Sequence, residues 1–242
     1  MKRLLLPLAI LGLLSGKAMA QQRTFILSNI DHKGFVSLTA GYSLPGCNTP
    51  FGKNTENIMG VGQFAQTSVG YRFGHRLGAV ASYYYGVNTI QQDALLNLLG
   101  KNADPADWDS KATNCNLQSL MAGPMLTVPA GRFQFDFQLT AGVAQSTSSR
   151  MELNWRGQEQ AISYTTPAQT TRTFAAGAGA TARFKLNRWL AVHTSLNYIT
   201  ADLKYSDLQQ EIRLGNQRSF ESLNSHQPLG MLNWGTGVSF IF

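Results

Sequence analysis

Apolar side chains recur at every second position over eight stretches of this chain, with small or polar residues between them. Strict alternation of this kind gives a β-strand two chemically different faces. Lys33 to Ser43 sets Val36, Leu38, Ala40 and Tyr42 against Ser37, Thr39 and Gly41. Gln63 to Phe73 sets Val69, Tyr71 and Phe73 against Ser68, Gly70 and Arg72, and Leu77 to Gly86 sets Leu77, Ala79, Ala81, Tyr83 and Tyr85 against Gly78, Ser82 and Gly86. Asn116 to Val128 is looser, with Leu120, Ala122, Leu126 and Val128 opposite Ser119, Gly123 and Thr127. The fifth stretch is the clearest: Phe133, Phe135, Phe137, Leu139, Ala141 and Val143 face one way, and Gln134, Asp136, Gln138, Thr140 and Gly142 the other. Thr173 to Lys185, Trp189 to Ile199 and Leu229 to Phe242 repeat the pattern.

The connections alternate too. Gly74-His75-Arg76, Pro129-Ala130-Gly131-Arg132 and Leu186-Asn187-Arg188 are tight, whereas Leu44 to Gly62, Val87 to Cys115, Gln145 to Arg172 and Thr200 to Pro228 are long. Short turns at one end and long loops at the other are the signature of an up-and-down barrel in an outer membrane. The fold expected is therefore all-β: an eight-stranded antiparallel up-and-down transmembrane β-barrel over residues 33–242. A soluble sandwich or lipocalin-like barrel also alternates, but packs its apolar face inward. Here the opposing face is rich in Gly, Ser, Thr, Asn and Gln, which suits a narrow lumen filled by side chains. Aromatics gather near strand ends (Tyr71, Phe73, Tyr83, Tyr85, Phe133, Phe184, Trp189, Tyr198, Phe240), as in the girdles at membrane interfaces.

Composition sharpens this picture. Lys2 and Arg3, the apolar run Leu4 to Leu14, and Ala18-Met19-Ala20 read as an export signal, cleaved after residue 20. The run is shorter than the roughly 20 residues that a membrane helix needs. Residues 21–32 then form a periplasmic tail. No later segment is long and apolar enough for a helical span, yet 43% of the chain is hydrophobic, with 23 Gly, 13 Phe, 8 Tyr and 4 Trp. The formal charge of +7 includes Lys2, Arg3 and Lys17 of the leader, so the mature chain is only mildly basic. Its basic residues are scattered, which with export excludes a nucleic-acid partner.

The final segment LGMLNWGTGVSFIF, Leu229 to Phe242, resembles the C-terminal strand of outer-membrane barrels. With the eight-strand plan, the mature chain resembles the small OmpA-type and OmpW-type barrels of Gram-negative bacteria, nearest in character to the "outer membrane protein beta-barrel domain" group common in Bacteroidetes. The resemblance implies that Trp234, Phe240 and Phe242 carry the signal read by the barrel-assembly machinery, and that the partners are this machinery and outer-membrane lipid. The protein is expected to be a monomer. No peptidoglycan-binding domain of the OmpA kind is expected after the last strand.

Few residues invite chemistry. Cys47 and Cys115 fall in the first two long loops, on one side of an oxidising compartment. They form either a disulfide that staples the loops or two thiols beyond the bridging limit of roughly 7 Å between Cα atoms. Arg72, Asp136 and Arg183 share the lumen face near the short turns, where a polar plug with internal pairing is expected and a gate is the sharper alternative. His193 and Ser195 share a face and faintly resemble the His-x-Ser of eight-stranded lipid A deacylases. Leu196 stands where that family continues with Asn, no acid follows at once, and the face is the lumen. His32, His75 and His226 are read as isolated. Asp104, Asp107 and Asp109 lack the Gly and distal Glu of a calcium loop, and Ala94 to Leu99 suggests a short helix. Part of the third loop, Met151 to Tyr164, alternates as though the hairpin continued past the membrane. No catalytic residue, cofactor or metal is expected. The reading is a non-enzymatic outer-membrane barrel with a structural or surface-interaction role. A narrow channel for small or hydrophobic solutes, with an apolar outer funnel, and a lipid A-modifying hydrolase are the alternatives.

Overall fold

The computed structural model describes residues 33–46, 59–91, 108–155, 162–214 and 217–242, all within one compact unit, Lys33–Phe242. These residues form strands β1 (Gly34–Pro45), β2 (Met59–Arg72), β3 (Leu77–Ile90), β4 (Trp108–Ala112), β5 (Cys115–Ala130), β6 (Phe133–Thr147), β7 (Met151–Trp155), β8 (Ile162–Thr166), β9 (Thr170–Lys185), β10 (Leu190–Leu214) and β11 (Gln217–Ile241). Eight of them pair antiparallel in the ring β1-β2-β3-β5-β6-β9-β10-β11, and β11 returns to β1. The seam runs from Phe35↔Ile241 to Pro45↔Met231. It is locked at its foot by Gly34 N donating to Phe242 O at 2.8 Å and Phe242 N to Gly34 O at 2.9 Å. Closure leaves the eight-strand ring without an edge, so its backbone groups find partners within the protein where lipid offers none.

The faces fall as the alternation predicts. Leu38, Leu120, Leu139, Val143 and Trp234 are exposed on the outside, Leu139 at 64%. Ser37, Thr39, Ser68, Ser119, Asn197 and Ser239 are buried inside. Trp234, Phe240 and Phe242 stand in phase on the outer face.

Two expectations are corrected. Thr200 to Pro228 is not a loop: β10 and β11 are each 25 residues long and form a ladder out to Leu214↔Gln217. Beyond the barrel, β10 carries β8, then β7 and β4, so the outer end bears a sheet in the order β11-β10-β8-β7-β4. Leu153 is its buried centre, with Trp108, Met151 and Tyr164 packed against it. The second long connection likewise contains β4, where Asp109 lies. The described parts of the alternating segment around Met151 to Tyr164 are β-structure, as expected: β7 and the start of β8. The helix read at Ala94 to Leu99, together with Asp104, Asp107, His32, the leader and the tail, lies outside the described residues.

Candidate functional site

The lumen collects nearly all the buried polar chemistry. At the short-turn end, neighbouring strands bring Asp136 of β6 opposite Thr181 of β9, two residues from Arg183. The two charged groups form an ion pair, at 3% and 4% exposure. The carboxylate also accepts from Thr127 Oγ1 at 2.6 Å and from Gln134 Nε2 at 3.0 and 3.3 Å. Arg183 Nε donates to Ser239 Oγ at 3.2 Å, and its guanidinium lies 3.7 Å over the Phe35 ring. Buried ions hold such positions only when paired and hydrogen-bonded. Arg72, third of the predicted cluster, is buried on the lumen face of β2.

The network continues through His193. Its Nδ1 meets Ser239 Oγ at 2.9 Å and its Nε2 meets Thr39 Oγ1 at 2.8 Å. Both ring nitrogens are thus occupied by residues other than Ser195, whose buried Oγ has no hydrogen-bond partner. The His193–Ser195 pairing suggested by their spacing does not form. One layer up, Gln138 Nε2 donates to Asn197 Oδ1 at 3.0 Å, and Gln66 Nε2 to Ser68 Oγ at 3.1 Å. The cavity among these groups is about 10 Å³, room for about one water.

The upper lumen differs from expectation. Phe64, Tyr84, Leu117, Met121, Ile199, Leu203, Tyr205 and Met231 form one buried cluster, so the outer half is a packed apolar plug and not a lining of small polar residues. Phe64 and Tyr84 stack with centroids 5.4 Å apart, and Tyr84 Oη donates to Asn233 Oδ1 at 3.0 Å. Phe35, Val80 and Met125 close the short-turn end. Met121 and Met125 lie in phase with Ser119 and Thr127, a signal that was present in the sequence.

The remaining candidates disperse. Cys115 is a buried free thiol, 3.2 Å from Thr147 O, and Cys47 lies outside the described residues. His226 is not isolated: it stands opposite Lys204 on β10 and contacts Asp202. No group of three or more His, Cys, Asp or Glu fit to hold a metal occurs among the described residues.

No family model matches the sequence, and no curated protein matches it. Among solved structures the chain is similar to Ail, the attachment invasion locus protein of Yersinia pestis, at 13% identity and a TM-score of 0.44, covering 87% of this chain and 99% of that one. It is also similar to Neisserial surface protein A at 10% identity, TM-score 0.47, covering 86% and 97%. A third is a major outer membrane protein from Thermus thermophilus at 12% identity, TM-score 0.48, covering 87% and 100%. By its own strand ladder, this chain is a small, closed, eight-stranded antiparallel β-barrel.

Proposed function

We propose that the protein is an integral outer-membrane protein. Its barrel is a closed anchor, and its outer-end sheet is the part that meets partners at the cell surface. The observation that carries this reading is the inverted polarity of the barrel. Leu38, Leu120, Leu139, Phe174 and Trp234 are exposed around its circumference while Arg183, Asp136, Asn233 and Ser239 are sealed inside. In water that arrangement exposes far more contiguous apolar surface than a soluble monomer tolerates; in lipid it is the stable one. The leader, residues 1–20, supplies the export that such a location needs.

The lumen argues against the channel alternative. An eight-stranded barrel has space only for side chains, and here an ion-paired layer lies beneath an apolar plug. The expected apolar funnel is filled, not open. The hydrolase alternative needs His193 to activate Ser195 at a site reached by lipid, but His193 is engaged elsewhere and both side chains are buried in the lumen. The proposed role is therefore a non-enzymatic one. The outer sheet, with Phe220 65% exposed, is the surface left for interaction.

Two measurements test this. The protein should stay with the outer-membrane fraction through salt and alkaline washes and need detergent for release. Reconstituted in planar bilayers, it should give no current steps above leak. Release by osmotic shock would contradict the membrane location. Regular conductance steps would contradict the closed anchor.

A further inference from the structure

The short-turn rim of the barrel is cationic. Arg76, Arg132, Lys185 and Arg188 lie at or beside its turns, and Lys33 lies at the same end, before β1. Among the described residues the acids lie elsewhere: Asp136 is inside the lumen, and the others are on strands at the outer end. The pairing of β6 with β9 makes two of these turns neighbours, and Lys185 N donates to Arg132 O at 2.9 Å, tying one to the other. Arg132 and Arg188 are both exposed there.

Directly below these turns the apolar exterior is indented. Phe137, Ala180, Leu196 and Trp234 form one cross-strand row over β6, β9, β10 and β11, and Phe135 and Ala182 face each other in the adjacent row. Two methyl groups between large side chains leave a groove of about 270 Å³. Between groove and turns stands the Phe133–Phe184 pair, centroids 5.0 Å apart. Ala182 to Lys185 is three strand residues, about 10 Å, so the groove opens roughly one long side chain away from the cationic turns.

We propose that these two turns and the groove form a site for one anionic glycerophospholipid of the adjacent leaflet. Arg132 and Arg188 engage its phosphate, and one acyl chain lies over Ala180 and Ala182. The site rests on the membrane location proposed above. Charge selects this occupant. A second copy packed symmetrically on the same patch would bring Arg132 and Arg188 of both chains together with no acid among the described residues to offset them. A zwitterionic lipid would gain less beside these two turns, where the described residues carry no acidic side chain, because surface attraction scales with net headgroup charge.

The mature barrel, equilibrated with mixed phosphatidylglycerol–phosphatidylcholine vesicles and extracted in mild zwitterionic detergent, is read by native mass spectrometry. The expected result is one retained phosphatidylglycerol, preferred about tenfold over phosphatidylcholine. Arg132→Gln with Arg188→Gln should abolish the preference. Ala180→Phe should abolish retention with both arginines in place. Glycerol 3-phosphate should not displace the lipid. Equal retention of both lipids, insensitivity to these substitutions, displacement by glycerol 3-phosphate, or Ala180→Cys dimers linked by disulfide in the membrane would each overturn the proposal. Every variant is first checked for the faster gel mobility of the unheated barrel, and for alkaline-resistant membrane association. Loss of association in the unmodified protein is thereby a failure of the membrane location and not of the lipid site.

Discussion

Asp136→Ala should destabilise the refolded barrel by about 3–5 kcal/mol, the cost typical of leaving one member of a buried ion pair without its partner. The substitution removes the carboxylate that Thr127, Gln134 and Arg183 all address. It strands a guanidinium at 4% exposure, in a lumen too small to hydrate it. Arg183→Met in the same chain should recover much of the loss, because the two effects are strongly non-additive when the second change removes the stranded charge. Equilibrium urea unfolding in lipid vesicles measures both. Independent, additive losses would show that the pair is not coupled as described.

The second large effect is steric. Gly237 lies on the seam, opposite Thr39 on β1 and His193 on β10. A Cβ built there would sit 1.9 Å from Leu38 O and 2.9 Å from the His193 ring. The first neighbour is backbone of the strand that closes the barrel and cannot turn aside. Gly237→Val should therefore cost about 3 kcal/mol or more and leave much of the protein unclosed. Outer-membrane fractions should hold little of the heat-modifiable form. Val238→Ala, one residue along on the lipid face, should assemble normally.

Both positions show what the sequence makes legible and what it hides. The alternation located every barrel strand and assigned Asp136, Arg183, His193 and Ser239 to the lumen, because a strand between lipid and a polar interior must alternate. It grouped Asp136 with Arg72 and Arg183 and implied pairing among them, but it could not show the Arg183–Asp136 contact itself or leave Ser195 alone, since those contacts are set by register across strands. The alternation runs on past Thr200, with Ala201, Leu203 and Tyr205 buried against Asp202, Lys204 and Ser206. Only farther out, where Glu211, Arg213, Arg218 and Glu221 crowd the hairpin, does the contrast between its faces fade. Tyr84 was hidden by its neighbours: in Tyr83-Tyr84-Tyr85 only the phase separates the buried ring from the two outward ones. The rim cations are visible at each turn in the sequence, but only the β6–β9 pairing shows that Arg132 and Lys185 adjoin.

Which face of these strands meets lipid decides between a membrane anchor and a barrel in water. Spin labels at Leu120, Leu139, Val143 and Trp234, one at a time in the barrel reconstituted in bilayers, measure this by collision with oxygen and with a water-soluble nickel chelate. High oxygen and low nickel accessibility at all four positions is the predicted result. Nickel accessibility equal to that of a label on the exposed Phe220 of the outer sheet would contradict it.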